Sequence, residues 1–242
     1  MSWKRFLAGF DLHGDKQDDD TVERFLDFSK IWKPHKRIFG GDLWDFRAIR
    51  KKAGEDERRD SMTEDYNCGM KFLREWEPHV FLRGNHDERL WDAYFNGIGP
   101  LKDLASDWIE EINAVLKRLK CTQYPWDKRK GIHYEGHLKV IHGFFIGETA
   151  CKRHAQVYGS VIHGHTHGVD EAGVAGLEKR VGRACGCLCQ LDYDYNRGNP
   201  LSLRHKNGWA YGIINDRTGD YHIWQAEEIN GQWILPTNVI TL

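Results

Sequence analysis

The stretch "RFLAGFDLH", residues 5–13, joins a short apolar run to two residue types that bind metals. The run stops at Asp11, which predicts a buried strand followed by a loop. Asp11 and His13 are two positions apart, so their side chains can point the same way from a strand end or a turn. A carboxylate and an imidazole directly after a strand form a pattern that later parts of the chain repeat.

Two more apolar runs end in the same way. "KRIFGGD" (36–42) ends at Asp42, and "HVFLRGNHD" (79–87) ends at Asn85, His86 and Asp87. The stretches before these runs, residues 21–32 and 61–76, carry apolar residues at helical spacing. The order strand, helix, strand, helix, strand predicts βαβ units and an α/β fold.

Two further strands are predicted at "HLKVIHG" (137–143) and "YGSVIHG" (158–164), with a helix over residues 149–158 between them. The first ends at His142, and the second runs into "HGHTH", which contains His165 and His167. In an open α/β sheet, ligands bind beyond the carboxyl ends of the strands. We therefore expect all of these polar residues to meet at one edge of the fold.

The residue types at the strand ends suit a transition-metal site. Carboxylate and imidazole together favour Mn, Fe, Zn or Ni over Ca. A pair of divalent cations can clamp the attacking and leaving oxygens of a phosphoryl transfer, and such a pair needs a bridging carboxylate. The alternative for "VIHGHTHGV" (161–169) is a solvated loop that happens to be rich in histidine. Five strand ends of the same kind favour the metal site.

The fragments D-x-H, GD, GNHD, HG and GHTH, in this order, resemble the calcineurin-like metallophosphoesterases over about residues 6 to 168. The resemblance implies a four-layer α/β/β/α sandwich with two metal ions. It implies that a hydroxide between the ions attacks phosphorus in line, with His86 beside the leaving oxygen and Asp45 orienting His86. The implied metal ligands are Asp11, His13 and His167 for one ion, Asn85, His142 and His165 for the other, and Asp42 for both.

The sequence departs from the protein-phosphatase branch of that family. In that branch an arginine directly follows the second aspartate of the GD region, which is Asp45 here, and this chain has Phe46 at that position. The branch also lacks the final histidine of "GHTH", which this chain has. The chain is therefore predicted to belong to the broader family. The stretches "GCLCQLDYDYNRGNP" (186–200) and "NGWAYG" (207–212) are similar to phosphoesterases of phages and prophages.

The predicted function is hydrolysis of phosphate esters, with a preference for phosphodiesters, using two divalent ions, Mn before Fe, Zn or Ni. The alternatives are a phosphomonoesterase, a DNA or RNA nuclease, and a metal-stabilised binding module without turnover. Basic clusters and ten tryptophans would serve the nuclease through phosphate contacts and base stacking. Arg47 is a candidate for binding the substrate phosphate, although a solvated basic face that includes Arg50, Lys51 and Lys52 is the favoured interpretation.

Length and composition predict one domain over residues 1–242, with a helical insertion at about 88–136 and a β-rich section from about 185 that completes a second sheet. The net charge of −1 provides no general attraction to nucleic acid or anionic membranes. No secretory signal or membrane span is recognised, so the six cysteines are expected to be reduced, the location cytoplasmic, and a membrane is not an expected partner. The oligomeric state stays open.

Three smaller predictions concern structure. The insertion contains an amphipathic helix whose apolar face, including Trp108 and Ile112, either covers the core or caps an active site. Cys185, Cys187 and Cys189 alternate on one face of a predicted strand, and buried free thiols are favoured over a zinc site. Several polar residues near the motifs are given supporting or no roles: His163 as a hydrogen-bonded strand end, Asp87 as a supporting or turn residue, Asp15 as a possible lining residue, and His133, His137 and His154 as surface or cap histidines.

Overall fold

Two β-sheets form the centre of the molecule. The computed structural model describes residues 3–178, 180–192, 200–233 and 235. Within these residues the first sheet has seven strands, in spatial order β12 (Gln232–Trp233), β11 (Tyr221–Ile229), β10 (Gly208–Asn215), β1 (Trp3–Gly9), β2 (Lys36–Phe39), β3 (Val80–Leu82) and β4 (Thr122–Tyr124). The second sheet has five strands, in the order β5 (His133–Glu135), β6 (Leu138–Ile141), β7 (Val161–His163), β9 (Arg180–Cys185) and β8 (Val169–Val174).

The helices lie between the strands in the order that the sequence predicts. They are α1 (Asp19–Trp32), α2 (Glu55–Arg59), α3 (Met62–Trp76), α4 (Glu88–Asn96), α5 (Pro100–Arg118) and α6 (Ala150–Tyr158). The strands β1, β2, β3 and β4 pair in parallel, and so do β6, β7 and β9. The predicted βαβ order is confirmed. Asp18 and Ser61 cap α1 and α3 by accepting hydrogen bonds from the backbone N–H groups of Thr21 and Glu64.

The layers are α/β/β/α, as the resemblance implies. Apolar side chains of both sheets, among them Phe6 and Ile38 from the first and Val140 and Ile162 from the second, form one buried cluster. The alternate positions of β6 and β7 point away from that cluster and pack on Tyr158 of α6. The opposite face of the first sheet packs on the helices in a cluster that contains Phe25, Phe39, Phe72, Trp76, Phe81 and Trp209. The four-layer prediction is therefore confirmed.

The C-terminal strands lie in a different place from the one predicted. β10, β11 and β12 extend the first sheet, because β10 pairs antiparallel with β1 from Trp3–Asn215 to Ala8–Ala210. The prediction that this section completes the second sheet is wrong for these three strands. Their local pattern specifies strands, but the choice of partner depends on which sheet edge is free in three dimensions. The stretches "CGCLCQLDYDY" (185–195) and "QWILP" (232–236) are predicted to be short strands, and residues 193–195, Ile234 and Pro236 of these stretches lie outside the described residues.

The predicted strand through the three cysteines ends at Cys185. Gly186 has a left-handed backbone (φ 74°), and a Cβ there would stand 2.8 Å from the backbone of Gly208. The chain turns at this glycine, so the three thiols do not share a strand face. Cys185, Cys187 and Cys189 are all buried and free, which confirms the buried-thiol interpretation.

The long helix of the insertion covers the core. Ile112 and Leu116 of α5 are buried in the same cluster as the outer face of the first sheet. Trp108 stacks on Tyr66 of α3, with ring centroids 4.4 Å apart and ring planes 9° apart. No residue of α5 lines the cavity described below. The core interpretation is confirmed and the cap interpretation is wrong for this helix.

Ile112→Ala is expected to lower the free energy of unfolding by about 2–5 kcal/mol, because it leaves a cavity under α5. Urea unfolding measures the change, and Ile31→Ala, at an exposed position of α1, is the matched control with an effect within about 0.5 kcal/mol. A small change in stability together with a large loss of turnover would instead favour a role for α5 at the site.

None of the described helices combines the length and the apolar character that a membrane crossing requires.

Candidate metal centre

The loops that follow five parallel strands meet at one edge of the two sheets. The backbone N–H groups of Leu12 and His13 donate to the carbonyl of Asp42 at 2.9 and 3.0 Å. The backbone N–H of His165 donates to the carboxylate of Asp11 at 2.9 Å. These bonds join the loops after β1, β2 and β7. The carboxyl ends of the strands therefore carry the polar residues to one place, as the motif pattern predicts.

The backbone at this place is unusual. Five of the seven predicted metal ligands have positive φ angles, namely Asp11 (54°), His13 (57°), Asp42 (53°), His165 (67°) and His167 (53°). A left-handed conformation costs a residue with a Cβ about 1–3 kcal/mol, and such residues cluster at functional sites. The loops thus hold these side chains in positions that their intrinsic preferences oppose.

One group of donor atoms surrounds His13 and His167. Their Nε2 atoms lie 3.1 Å apart, and Nε2 of His167 is 3.7 Å from Oδ1 of Asp11. Nitrogen ligands bind Zn²⁺ at about 2.0–2.1 Å, so two nitrogens that share one ion lie about 3 Å apart. The spacing of the two imidazoles fits a common cation. All three side chains are buried.

A second group surrounds His142. Its Nε2 is 3.0 Å from Oδ1 of Asn85 and 3.2 Å from Oδ2 of Asp42. Its Nδ1 faces the carbonyl of Gly40 at 3.1 Å, which favours a proton on Nδ1 and leaves the Nε2 lone pair towards the group. Asp42, His142 and His165 have ligand atoms within 4.8 Å of one another.

Asp42 stands between the two groups. Its Oδ2 lies 3.9 Å from Nε2 of His13 and 3.2 Å from Nε2 of His142. Burial raises the pKa of this carboxyl, but the imidazoles of His142 and His86 outweigh it and hold the pKa well below the ordinary value. A ligand that two metal ions share must be an anion within reach of both groups of donor atoms, and the buried carboxylate of Asp42 meets this requirement.

His86 and Asp45 form a pair beside the second group. Nδ1 of His86 hydrogen-bonds to Oδ1 of Asp45, and Nε2 of His86 lies 3.8 Å from Oδ2 of Asp42. Arg89 donates from Nη1 to the same Asp45 oxygen at 2.9 Å and to the Asp45 carbonyl at 2.7 Å. Burial lowers the pKa of His86, and the carboxylates of Asp42 and Asp45 oppose that shift. Asp45 therefore fixes the orientation of the His86 ring.

Asp87 is a buried aspartate that supports the loop carrying Asp42. Asp87 accepts backbone hydrogen bonds from Gly84 at 2.7 Å, Asp42 at 2.8 Å and Trp44 at 3.0 Å. It acts as a support for the loop of Asp42, one of its two predicted roles. Burial raises its pKa to about 8.

Asp65 holds the loop of Asp45 and was not a candidate in the sequence. It accepts hydrogen bonds from the backbone N–H groups of Asp45 and Phe46. It also lies on the buried stripe of α3 with Gly69, Phe72 and Trp76. A carboxylate on an otherwise apolar helix stripe is the signal that would have identified it.

Arg47 has a different environment from the predicted solvated face. The residue is 7% exposed, and its guanidinium makes a bidentate contact with Asp15, at 2.7 and 2.6 Å, and a further contact with Asp60. The side chain borders the cavity, but these carboxylates use its donors. Binding of a substrate phosphate by Arg47 stays a prediction, and the solvated-face interpretation is wrong for this residue. Asp15 serves as its partner.

His154 is fully buried, so the prediction of a surface or cap position is wrong. Its Nε2 accepts hydrogen bonds from the backbone N–H groups of Phe144 and Phe145, at 2.9 and 3.2 Å. It thereby holds the loop that follows His142. His163 is buried beside it and contacts the carbonyl of Gly164 through Nδ1 at 2.8 Å, as expected of a hydrogen-bonded strand end. His133 is also buried, against expectation.

Acid is expected to destabilise the fold through His154. Burial is the main reason that its pKa falls from 6.5 to about 2 in the folded chain. Below pH 6.5 the unfolded chain binds a proton that the folded chain does not, so stability present above that pH is lost as the pH falls. The loss is about 1.4 kcal/mol per pH unit, or about 2 kcal/mol from pH 6.5 to 5.

Urea unfolding of the wild type and His154→Gln at pH 7 and pH 5 measures this effect. The glutamine keeps an acceptor for the loop and removes the titration, so its stability is expected to fall by about 2 kcal/mol less over that range. An equal loss in the two proteins would contradict the prediction.

A cavity of about 310 Å³ opens above the two donor groups. Its lining includes Asp42, His86, Arg89, His165, Arg204 and His205. His205 had no predicted role, and its ring lies 4.9 Å from that of His167. Apart from the histidine rings, no aromatic side chain of the described residues lines the cavity.

Several solved structures are similar to this chain, among them the two that follow. No family model and no curated protein matches the chain. Vacuolar Protein Sorting 29 from Cryptosporidium parvum is 10% identical to this chain, with a TM-score of 0.47. The alignment covers 96% of this chain and 95% of that protein's chain. YfcE, a phosphoesterase from E. coli, is 15% identical, covers 88% of each chain, and has a TM-score of 0.37.

The fold and the site together define an α/β sandwich with a candidate metal centre of histidines and carboxylates at its strand ends.

Proposed function

We propose that this protein hydrolyses phosphate esters with the help of two divalent metal ions. The observation that carries the proposal is the convergence of imidazoles and carboxylates from five strand ends around Asp42, at the base of a cavity. Neutral nitrogens together with anionic oxygens are suitable ligands for Mn²⁺, Fe²⁺ and Zn²⁺. Mn²⁺ is our first choice for the assay.

The two donor groups suggest which residues would hold each ion. His13 and His167 have facing nitrogens, and Asp11 lies beside them. Asn85 and His142 have facing ligand atoms, with His165 nearby. Asp42 reaches both groups. In the proposal, the first ion binds to Asp11, His13 and His167, the second binds to Asn85, His142 and His165, and Asp42 is shared.

Bound divalent ions would supply a water of lowered pKa and a positive charge for the phosphoryl oxygens. His86 serves the leaving group, because its Nε2 points towards the group around Asp42 while Nδ1 is held by Asp45. Burial lowers the pKa of His86, and the carboxylates of Asp42 and Asp45 oppose that shift. In the proposal, Nε2 gives a proton to the departing oxygen. Arg89 keeps Asp45 in place.

We propose a small phosphodiester as the substrate class. The cavity is of modest size, and the described part of its lining offers no tryptophan on which a base could stack. Eight of the ten tryptophans lie in the core or against it: Trp32, Trp44, Trp76, Trp91 and Trp209 are buried, and Trp108, Trp224 and Trp233 pack on the core. Trp3 is exposed and Trp126 donates to the carbonyl of Gly143, and neither lines the cavity. This arrangement favours a small molecule over a nucleic acid, which is the second candidate.

Hydrolysis of bis-(p-nitrophenyl) phosphate beside p-nitrophenyl phosphate in Mn²⁺ tests the proposal, with EDTA as the control for metal dependence. Metal-dependent turnover that prefers the diester is the expected result. Preference for the monoester would make the protein a phosphomonoesterase, and cleavage of a labelled oligonucleotide would favour the nuclease. Metal-loaded protein that turns over none of the three would support a metal-stabilised binding module and contradict the proposal.

A further inference from the structure

Cys189 differs from the two cysteines before it in what its thiol contacts. The Sγ of Cys185 faces the carbonyl of Arg183 at 3.7 Å. The Sγ of Cys187 faces the carbonyl of Lys206 at 3.5 Å. The Sγ of Cys189 instead lies 3.8 Å from Nδ1 of His167. Of these three thiols, only that of Cys189 therefore touches a side chain of the candidate metal centre.

The two ring nitrogens of His167 face different partners. Nε2 points to Nε2 of His13 at 3.1 Å, where the first donor group lies. Nδ1 points to the sulfur of Cys189. An imidazole that binds a metal through one nitrogen carries its proton on the other, and that N–H is usually held by a carboxylate, a carbonyl or a water. At His142 the partner of Nδ1 is the carbonyl of Gly40, and at His167 the partner of Nδ1 is the sulfur of Cys189.

The backbone holds Cys189 firmly against the loop of the first donor group. The N–H of Leu188 donates to the carbonyl of Asp11 at 3.1 Å, and the N–H of Gln190 donates to the carbonyl of Lys16 at 2.9 Å. The side chain of Asn207 donates to the carbonyl of Cys189 at 2.7 Å. The thiol is fully buried, so water does not compete for this contact.

We propose that the sulfur of Cys189 accepts a hydrogen bond from the Nδ1–H group of His167 and so directs Nε2 of that ring towards the metal. The sulfur of Cys189, a nitrogen of His13 and a nitrogen of His167 lie within 4.8 Å of one another. The contact of the sulfur is with Nδ1 of His167, whereas Nε2 faces His13, so the proposal makes Cys189 a positioning residue and not a ligand. The inference rests on the proposed function only in requiring that His167 bind a metal. A sulfur acceptor is weaker than an oxygen, so a hydroxyl at the same position can replace it.

Cobalt-loaded protein provides the test. The exchangeable N–H protons of metal-bound histidines give separate, strongly shifted NMR signals in the presence of Co²⁺. In Cys189→Ala we expect one of these signals to be lost by exchange while the others stay, and the affinity for Co²⁺, measured against a competing chelator, to fall about 10–100-fold. In Cys189→Ser we expect the signal at a new position and most of the affinity restored.

Cys185→Ser is the matched control, because its Sγ faces the backbone carbonyl of Arg183 and packs in the cluster between the two sheets, and it is expected to leave signals and affinity unchanged. Unchanged signals and affinity in Cys189→Ala would overturn the inference alone. A thiolate-to-cobalt charge-transfer absorption that disappears in Cys189→Ser would make Cys189 a direct ligand and also overturn it. Failure of the wild-type chain to bind Co²⁺ would overturn the metal centre itself, so the two failures are distinguishable.

Discussion

Asp42→Asn is expected to remove metal binding and turnover together. The Oδ2 atom of Asp42 lies 3.2 Å from Nε2 of His142 and 3.9 Å from Nε2 of His13, so this anion is within reach of the facing nitrogens of both donor groups. An amide keeps the shape of the side chain but loses the charge that offsets two cations. Residues behind the ligands typically contribute 10–100-fold to metal affinity, and we expect a loss of more than about 100-fold for this one.

Metal content after gel filtration and hydrolysis of the diester measure the effect of Asp42→Asn. The matched control is Asp27→Asn, which changes an aspartate on the surface of α1 in the same way and is expected to leave both quantities unchanged. Full metal content with normal turnover in Asp42→Asn would refute the shared-ligand role.

His86→Ala is expected to separate chemistry from metal binding. The ring is held by Asp45 and lies beside the donor groups, so its loss should lower kcat by about 10²–10⁴-fold and leave metal content intact. Asp45→Asn should act in the same direction with a smaller effect, because it disturbs the orientation and charge of His86 and does not remove the ring.

The leaving group provides a second measurement on His86→Ala. An activated p-nitrophenolate departs with little need for a proton, whereas an alkoxide needs one. The loss of kcat should therefore be larger for an alkyl phosphodiester than for the p-nitrophenyl ester. Equal losses for the two substrates would favour electrostatic stabilisation over proton transfer, and loss of metal would make His86 a ligand. Phe95→Ala, at an exposed position of α4, is the control variant.

Much of the architecture was predictable because its signals are local. Apolar runs that end in Asp11, Asp42 and Asn85 predict strands with polar ends, and parallel strands place those ends at one edge. The helical spacing of apolar residues within α1 and within α3 is likewise a property of neighbouring residues. The polar residues that gather around Asp42 could therefore be proposed from the order of the motifs. Their roles as metal ligands stay a proposal.

Contacts between distant residues were harder to predict. Asp65 meets the loop of Asp45 from a helix that follows it by about 20 positions, and Arg47 finds its partners in Asp15 and Asp60. From the sequence alone, a charged residue that will be buried cannot be told from one that will be exposed to solvent. Its burial and partners follow from packing, which joins segments that the sequence keeps apart.

The sequence by itself determined the α/β order and the chemistry at the strand ends, because periodicity and residue type act over a few neighbouring positions. Only the tertiary structure decided that β10 pairs with β1, that α5 covers the core, and that the thiol of Cys189 faces His167. Each of these depends on which surface is free once the rest of the chain has folded. The physical reason is that hydrogen bonds between strands and apolar burial are nonspecific until geometry restricts the choice of partner.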